Sequence, residues 1–248
     1  MGKITDTVKH IIIINVLLFL VARFAYPPLQ DLFALHFPTN PEFGIWQYVT
    51  HMFMHSQQSL MHIGFNMLGV WMFGSPLEQL WGRNKFIFFY FSAGIGAGLI
   101  YSAVNYFQYT SIYNDIISMG FSSSDIQNLL NTGSSSSGIF DKFSQEELLK
   151  FYRLYNTPAV GASGALYGVL VAFGMSFPNA KLALIFFPVP VAAKYFIPVL
   201  IALDLFSGLT GYSIFGDGVA HFAHVGGAIV GLIIMLYWKK NQFKRWDK

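Results

Sequence analysis

The chain of 248 residues contains no cysteine and few charged residues. Without cysteine it forms no disulfide and offers no thiolate as a nucleophile or metal ligand. Aspartate, glutamate, lysine and arginine make up only 11% of the residues, against about 25% in a typical soluble domain. The formal net charge of +3 does not indicate a nucleic-acid partner, because the basic residues lie where membrane topology would place them.

Apolar residues are correspondingly abundant in the sequence. Hydrophobic residues make up 54% of the chain and aromatic residues 18%. Several runs of about 16–22 mostly apolar residues have the length of a membrane-spanning helix. A membrane barrel would show short alternating segments instead. The sequence therefore predicts an all-α, polytopic membrane protein embedded in a lipid bilayer, with residues 1–248 forming one domain.

Six segments are predicted to span the bilayer: residues 11–21, 61–73, 86–107, 158–177, 193–209 and 220–238. Lys3 and Lys9 precede the first, which could also be the apolar core of a signal peptide. No good small-x-small cleavage site follows it, so an uncleaved helix is the better interpretation.

The connecting segments differ in character. Residues 27–60 are expected to form an interfacial outer loop with short amphipathic pieces, residues 74–85 a charged turn, and residues 210–219 a glycine-bearing loop. Residues 182–191 contain two prolines and are placed at the interface as a re-entrant or surface piece. Residues 108–157, with the serine run 134–137, are expected to form an extramembrane polar insert with short helices at 124–130 and 144–155. Such an insert would be a mobile lid, a partner surface or decoration.

Basic residues predict the orientation. With six spans both termini share a side, and that side collects eleven of the 15 lysines and arginines: Lys3, Lys9, Arg83, Lys85, Lys181, Lys194 and the five of the C-terminal tail. The positive-inside rule then places both termini in the cytoplasm of a cell-membrane protein. The insert and the start of the fourth span lie on the outer side.

Three polar sets then fall near the outer ends of spans: Ser163 with Tyr167, His62 with Asn66, and His224. Polar groups inside spans are costly and are by default functional. Ser163 taken alone is better explained as part of a helix contact between small residues. The spacings Gly164/Gly168 and Gly227/Gly231 likewise indicate close packing, of the fourth span against the sixth. It is the combination of the three sets that favours chemistry.

The sets fit acyl transfer. A serine hydroxyl such as that of Ser163 needs a base, and His224 suits that role near neutral pH. The developing oxyanion needs donors, which the Asn66 amide, the His62 ring and the Ser163 backbone N–H can supply. Gly161 and Gly164 leave room for a substrate backbone, and Tyr167 can hold the imidazole by packing. No carboxylate is obviously placed to orient the histidine, which favours a catalytic dyad over a triad.

The chain resembles the rhomboid intramembrane serine proteases over residues 43–238. The resemblance rests on three motifs in family order: HxxxN at 62–66, GxSG at 161–164 with a tyrosine at 167, and AHxxGxxxG at 223–231. It implies a six-helix core, a dyad of Ser163 and His224, and an oxyanion site including His62 and Asn66. It also implies cleavage of single-pass membrane proteins near the outer membrane face, without cofactor or metal. His221 is not carried over, because its distance to Gly227 does not match the motif.

Two features depart from the family pattern. Trp46 is followed by Gln47, where many bacterial members have Trp-Arg in the first outer loop. The insert at 108–157 is longer than in a minimal member. The resemblance therefore does not predict how this insert affects substrate access to the active site.

Three alternative functions are compatible with parts of the sequence. A membrane metalloprotease would be expected to carry an HExxH helix, which is absent from the sequence. A metal-ion transporter built on His51/His55 and His221/His224 would be expected to carry more acidic residues in its helices. A proteolytically dead member that binds membrane clients is disfavoured by the presence of Ser163 and His224. The roles of Asp204 and His221, the natural substrate and the oligomeric state stay open.

Overall fold

The computed structural model describes residues 2–134, 138–184, 187–212 and 220–243. Most of the predicted serine run (135–137), most of the glycine-bearing loop (213–219) and the end of the basic tail (244–248) lie outside the described residues. The prediction of a helical membrane protein is confirmed, since the described chain is nearly all helix. The helices are α1 (Asp6–Leu20), α2 (Leu29–Phe33), α3 (Gln47–Thr50), α4 (Leu60–Gly69), α5 (Ser75–Trp81), α6 (Arg83–Ser118), α7 (Ser123–Thr132), α8 (Gln145–Asn156), α9 (Ser163–Ser176), α10 (Ala193–Thr210) and α11 (His221–Phe243).

Four helical segments of the described chain are long and apolar enough to cross a membrane. They correspond to the predicted first, third, fifth and sixth spans: Asp6–Ala25, Arg83–Ser118, Ala193–Thr210 and His221–Asn241.

The second and fourth predicted spans are not among these four, and the helices in those regions have different bounds from those expected. Helix α4 continues through a π-helical turn at Val70–Gly74 into α5, so the segment expected to be a charged turn is largely helical. Pro76 lies in the first turn of α5, directly after this π-helical turn. Helix α9 begins only at Ser163 and is 14 residues long, because residues 158–162 are not helical: Ala159 pairs with Leu35 in a β-bridge, and Ala162 forms a turn directly before the helix.

The insert begins later than expected. Helix α6 does not end at Phe107 but runs on to Ser118, so its last three turns belong to the region predicted as insert. The two short amphipathic helices are confirmed as α7 and α8, each opened by a serine capping box at Ser122 and Ser144. Their apolar faces and the end of α6 share a small core of their own: Phe37, Ile116, Ile126, Leu129, Leu130, Ile139, Leu148, Phe151 and Tyr155.

The segment expected to be a re-entrant or surface piece is a β-hairpin, so the all-α prediction is wrong in this detail. Strand β1 (Lys181–Leu184) pairs antiparallel with β2 (Phe187–Ala192), with Lys181 opposite Ala192. Both strands of a hairpin are edge strands, and an edge strand tolerates the two prolines of β2 because an outward N–H is not needed.

Helix α9 lies at the centre of the bundle, packed against α6 and α11. The predicted glycine contact between the fourth and sixth spans is confirmed. A Cβ on Gly227 would overlap the carbonyl oxygen of Gly164, and a Cβ on Gly231 would lie 2.7 Å from the Cα of Gly168. This backbone contact between α9 and α11 sets the distance between the side chains at their N-terminal ends.

Candidate active site

Ser163 and His224 meet at the end of the bundle where α9 and α11 begin. Ser163 is the first residue of α9, and His224 lies in the first turn of α11. The Nε2 atom of His224 is 2.9 Å from the Ser163 Oγ, which is hydrogen-bond distance. The structure therefore brings together the nucleophile and base candidates that the sequence identified.

Asp204 of α10 completes a chain of hydrogen bonds. Its carboxylate is fully buried, and its Oδ1 lies 3.0 Å from the Nδ1 of His224. An ionised carboxylate only accepts hydrogen bonds, so the Nδ1 of His224 carries the proton and Nε2 is left to accept from the Ser163 hydroxyl. The expectation that no carboxylate orients this histidine is wrong.

Two further side chains hold this carboxylate. The Tyr167 hydroxyl donates to the Asp204 Oδ2, and the Nδ1 of His221 lies 2.6 Å from Oδ1. The Tyr167 ring also stacks on the His224 ring, with centroids 4.2 Å apart and planes at 9°. Tyr167 thus touches both the base candidate and the carboxylate that orients it.

His62 faces the serine across Gly161. The backbone N–H of Ser56 donates to the Nδ1 of His62 at 3.1 Å, so Nε2 carries the ring proton of the neutral histidine. A Cβ on Gly161 would lie 3.0 Å from that Nε2 and 3.5 Å from the Ser163 Oγ. The backbone N–H of Gly161 donates to the His51 carbonyl at 2.9 Å, and its φ of +125° is one that only glycine adopts readily. A larger residue here would fill the space between His62 and Ser163.

Asn66 lies one turn along α4 from His62 and is buried. Its side-chain amide donates to the His62 carbonyl at 2.8 Å, which leaves its second N–H available to another acceptor. The structure therefore places Asn66 beside His62 on the same helix and not in hydrogen-bond contact with Ser163.

Two buried histidines of the outer loop, His51 and His55, are neutral near pH 7. Burial lowers the pKa of His51 to about 4 and that of His55 to about 3. The His55 ring centroid is 5.2 Å from that of His62, so His62 has a neutral neighbour instead of a cation. In the part of the chain that the structure describes, the one set of three or more metal-ligating groups is Asp204, His221 and His224.

Asp204 is the site residue whose role could not be assigned from sequence. The signal that singles it out is an acid inside an apolar helix, where charge is costly unless it is paired. The residue pattern of one helix does not show which neighbouring helix that acid faces. Only the packing of α10 against α9 and α11 shows that it reaches Tyr167 and His224.

Comparisons with known proteins identify one family. A family model described as the Rhomboid domain matches residues 42–125 and 130–241. The rhomboid protease AarA of Providencia stuartii is 30% identical over 204 residues, covering 77% of this chain and 55% of that protein. The human mitochondrial presenilin-associated rhomboid-like protein is 27% identical over 242 residues, covering 95% and 50%. The yeast mitochondrial rhomboid protein 1 is 26% identical over 185 residues, covering 75% and 40%.

The chain thus spans about half the length of the relatives it matches. The family model covers well over half of the chain and includes every residue of the site described above. The chain therefore belongs to the rhomboid family.

Proposed function

We propose that the protein is a serine endopeptidase that cleaves membrane-spanning proteins inside the bilayer. The observation that carries this proposal is the hydrogen-bond chain from Asp204 through His224 to Ser163. Family membership and the name of the similar rhomboid protease AarA also support it.

Acylation begins with a proton transfer. The Nε2 of His224 takes the proton of the Ser163 hydroxyl as Oγ attacks the carbonyl carbon of the scissile peptide bond. The imidazolium that forms gives this proton to the leaving amine nitrogen, the C–N bond breaks, and an ester to Ser163 remains. Water then attacks the ester, His224 takes its proton and returns it to Oγ, and the product leaves with a new carboxyl group.

Asp204 stabilises the charged intermediate state of His224. The carboxylate accepts from the Nδ1 of His224 throughout, so the imidazolium has a hydrogen-bonded counter-charge. Tyr167 holds the other carboxylate oxygen and covers the ring face, which prevents the imidazole from turning. Asp204 is a positioning residue, because it acts on the substrate only through His224.

The oxyanion is stabilised by donors that stand ready before reaction. The N–H of Ser163 belongs to the first turn of α9, where backbone amides have no helical partner. The protonated Nε2 of His62 faces the same space across Gly161. Asn66 supplies its free amide N–H from the next turn of α4. Removal of one such donor typically costs about 10²–10³ in rate.

The depth of the serine supports cleavage within the membrane. The 14 residues of α9 rise by about 21 Å, less than the roughly 30 Å of a bilayer core. If the C-terminal end of α9 lies at one face of the bilayer, Ser163 lies below the opposite face. The proposed topology counts α4 with α5 and α9 as spans, giving six.

The same topology places the active site toward the outer face and both termini inside. At the end of the bundle opposite Ser163, the Trp81 and Trp238 ring centroids are 5.1 Å apart, and the Lys85 Nζ is 5.7 Å from the Trp238 ring. Aromatic and basic residues of this kind mark a cytoplasmic interface. The proposed substrates are single-pass membrane proteins that enter from the lipid and are cut near the outer face.

Cleavage of a single-pass reporter by the purified protein in lipid vesicles tests this function. We expect Ser163→Ala and His224→Ala each to abolish cleavage, while Ser176→Ala, at the far end of the same helix as Ser163, leaves the rate unchanged. Monodisperse elution and unchanged helix content would show that the variants fold. Cleavage at the wild-type rate by Ser163→Ala would overturn the proposal.

A further inference from the structure

His221 is a buried site residue that the proposed reaction does not use. It stands one turn before His224 on α11, and its Nδ1 reaches the same carboxylate oxygen of Asp204 that His224 reaches. Peptide hydrolysis by a Ser–His–Asp arrangement needs a single histidine. His221 helps to compensate the burial of that carboxylate, and the same Nδ1 atom could also serve as a metal ligand.

The three side chains fit a transition-metal ion. Each offers one potential ligand atom, and the three atoms lie within 4.8 Å of one another. The Nδ1 atoms of His221 and His224 are 2.6 Å and 3.0 Å from the Oδ1 of Asp204. Two imidazoles with one carboxylate are a common donor set for zinc, whereas magnesium and calcium prefer oxygen ligands alone. Tyr167 holds Oδ2, which leaves Oδ1 facing both histidines.

We propose that Asp204, His221 and His224 form a Zn²⁺ site and that zinc bound there switches the active site off. The site is regulatory and takes no part in peptide hydrolysis. The inhibitory part of this proposal rests on the proposed function, whereas the binding part does not.

Tautomer chemistry explains the inhibition. In the metal-free site the proton of neutral His224 sits on Nδ1, and Nε2 accepts from the Ser163 hydroxyl. Coordination of zinc requires the lone pair of Nδ1, so the ring keeps its one proton by moving it to Nε2. The same shift occurs in a neutral His221. His224 then has no lone pair facing Ser163 and cannot take its proton.

The ion has a route to this site. His221 and His224 lie in the first turn of α11, at the end of the bundle where the proposed substrate and water enter, and each keeps about a tenth of its surface exposed. Zinc ligands of this kind are normally held by further hydrogen bonds, and Tyr167 supplies one to Asp204.

Metal binding is tested first without reference to activity, in the Ser163→Ala background. The probes are Co²⁺, followed by the visible absorption of the four-coordinate ion, and Zn²⁺, followed by calorimetry. We expect one ion per chain, and at least ten-fold weaker binding after His221→Ala. The exposed His10 of α1 provides the matched control, and His10→Ala should bind as the parent does. His221→Gln serves as the second variant, because its amide can still donate to Asp204 but is a poor zinc ligand.

Inhibition is tested with the same variants carrying Ser163. We expect Zn²⁺ to lower reporter cleavage by at least ten-fold and a chelator to restore it. Relative to its own zinc-free rate, His221→Gln should need at least ten-fold more zinc for the same fractional inhibition. Binding of equal strength in the His221 variants, or equal zinc sensitivity in wild type and His221→Gln, would overturn the proposal. If the protein cleaves nothing, the proposed function fails, but the Co²⁺ titration still decides whether the site exists.

Discussion

At the scale of single residues, the site depends on a buried carboxylate that accepts from three donors. A carboxylate without partners would be very costly inside an apolar bundle. Asp204 is held by Tyr167, His221 and His224, so its burial is compensated and its position fixed. The same contacts fix the orientation of the His224 ring. The burial of Asp204 and the position of His224 therefore depend on the same hydrogen bonds.

Asp204→Asn tests this positioning role. An asparagine of the same size can present an N–H to Nδ1 and so favour the wrong tautomer of His224. We expect kcat to fall by about 10²–10⁴ with little change in KM, and Asp204→Glu to recover part of the loss. Leu205→Ala, on the exposed side of the same helix, is the control. Equal losses in Asp204→Asn and Leu205→Ala, or a rise in KM alone, would rule out the positioning role.

Asn66→Ala tests the oxyanion site. Removal of one preorganised donor should lower kcat by about 10²–10³, while the affinity for a substrate analogue stays the same. Steady-state cleavage of the reporter measures the first, and competition with a non-cleavable analogue the second. An unchanged kcat would remove Asn66 from this role.

At the scale of secondary-structure elements, the crossing of α9 and α11 sets the distance between Ser163 and His224. Gly227→Ala would place a Cβ against the carbonyl oxygen of Gly164, forcing the helices apart. We expect a loss of about 1–3 kcal/mol in unfolding free energy together with a strong loss of cleavage. Gly64→Ala on α4, where a Cβ would meet nothing within 4 Å, is the control. Denaturant unfolding in detergent measures the first effect, and wild-type stability of Gly227→Ala would contradict the close crossing.

Sequence predicted the long helices and the order of the motifs because apolar runs and glycine spacing are local signals. It did not predict where α9 begins, since the apolar residues at 158–162 suit an extended segment as well as a helix. Lys181 and Ala192 pair across a hairpin, and nothing in the proline-containing run between them distinguishes a hairpin from a surface loop. Asp204 was visible as an unusual residue, but its partners depend on how α10 packs against its neighbours.

At the scale of the whole molecule, the proposed topology requires the two ends of the bundle to face opposite sides of the membrane. Because the chain has no cysteine, single cysteines can be introduced and labelled without background. In a bacterial inner membrane we expect Lys3→Cys to resist an impermeant maleimide until the cells are lysed, and Ser123→Cys of α7 to react in intact cells. Labelling of Lys3→Cys in intact cells would reverse the orientation, and labelling of both would contradict a single topology.

The proposed mechanism requires Ser163 to be a nucleophile activated by His224. Covalent labelling by a fluorophosphonate probe measures this most directly, because the probe reacts with an activated serine and needs no knowledge of the natural substrate. We expect strong labelling of the wild-type protein, none of Ser163→Ala, and greatly reduced labelling of His224→Ala. Equal labelling of wild type and Ser163→Ala would contradict a nucleophilic role for Ser163.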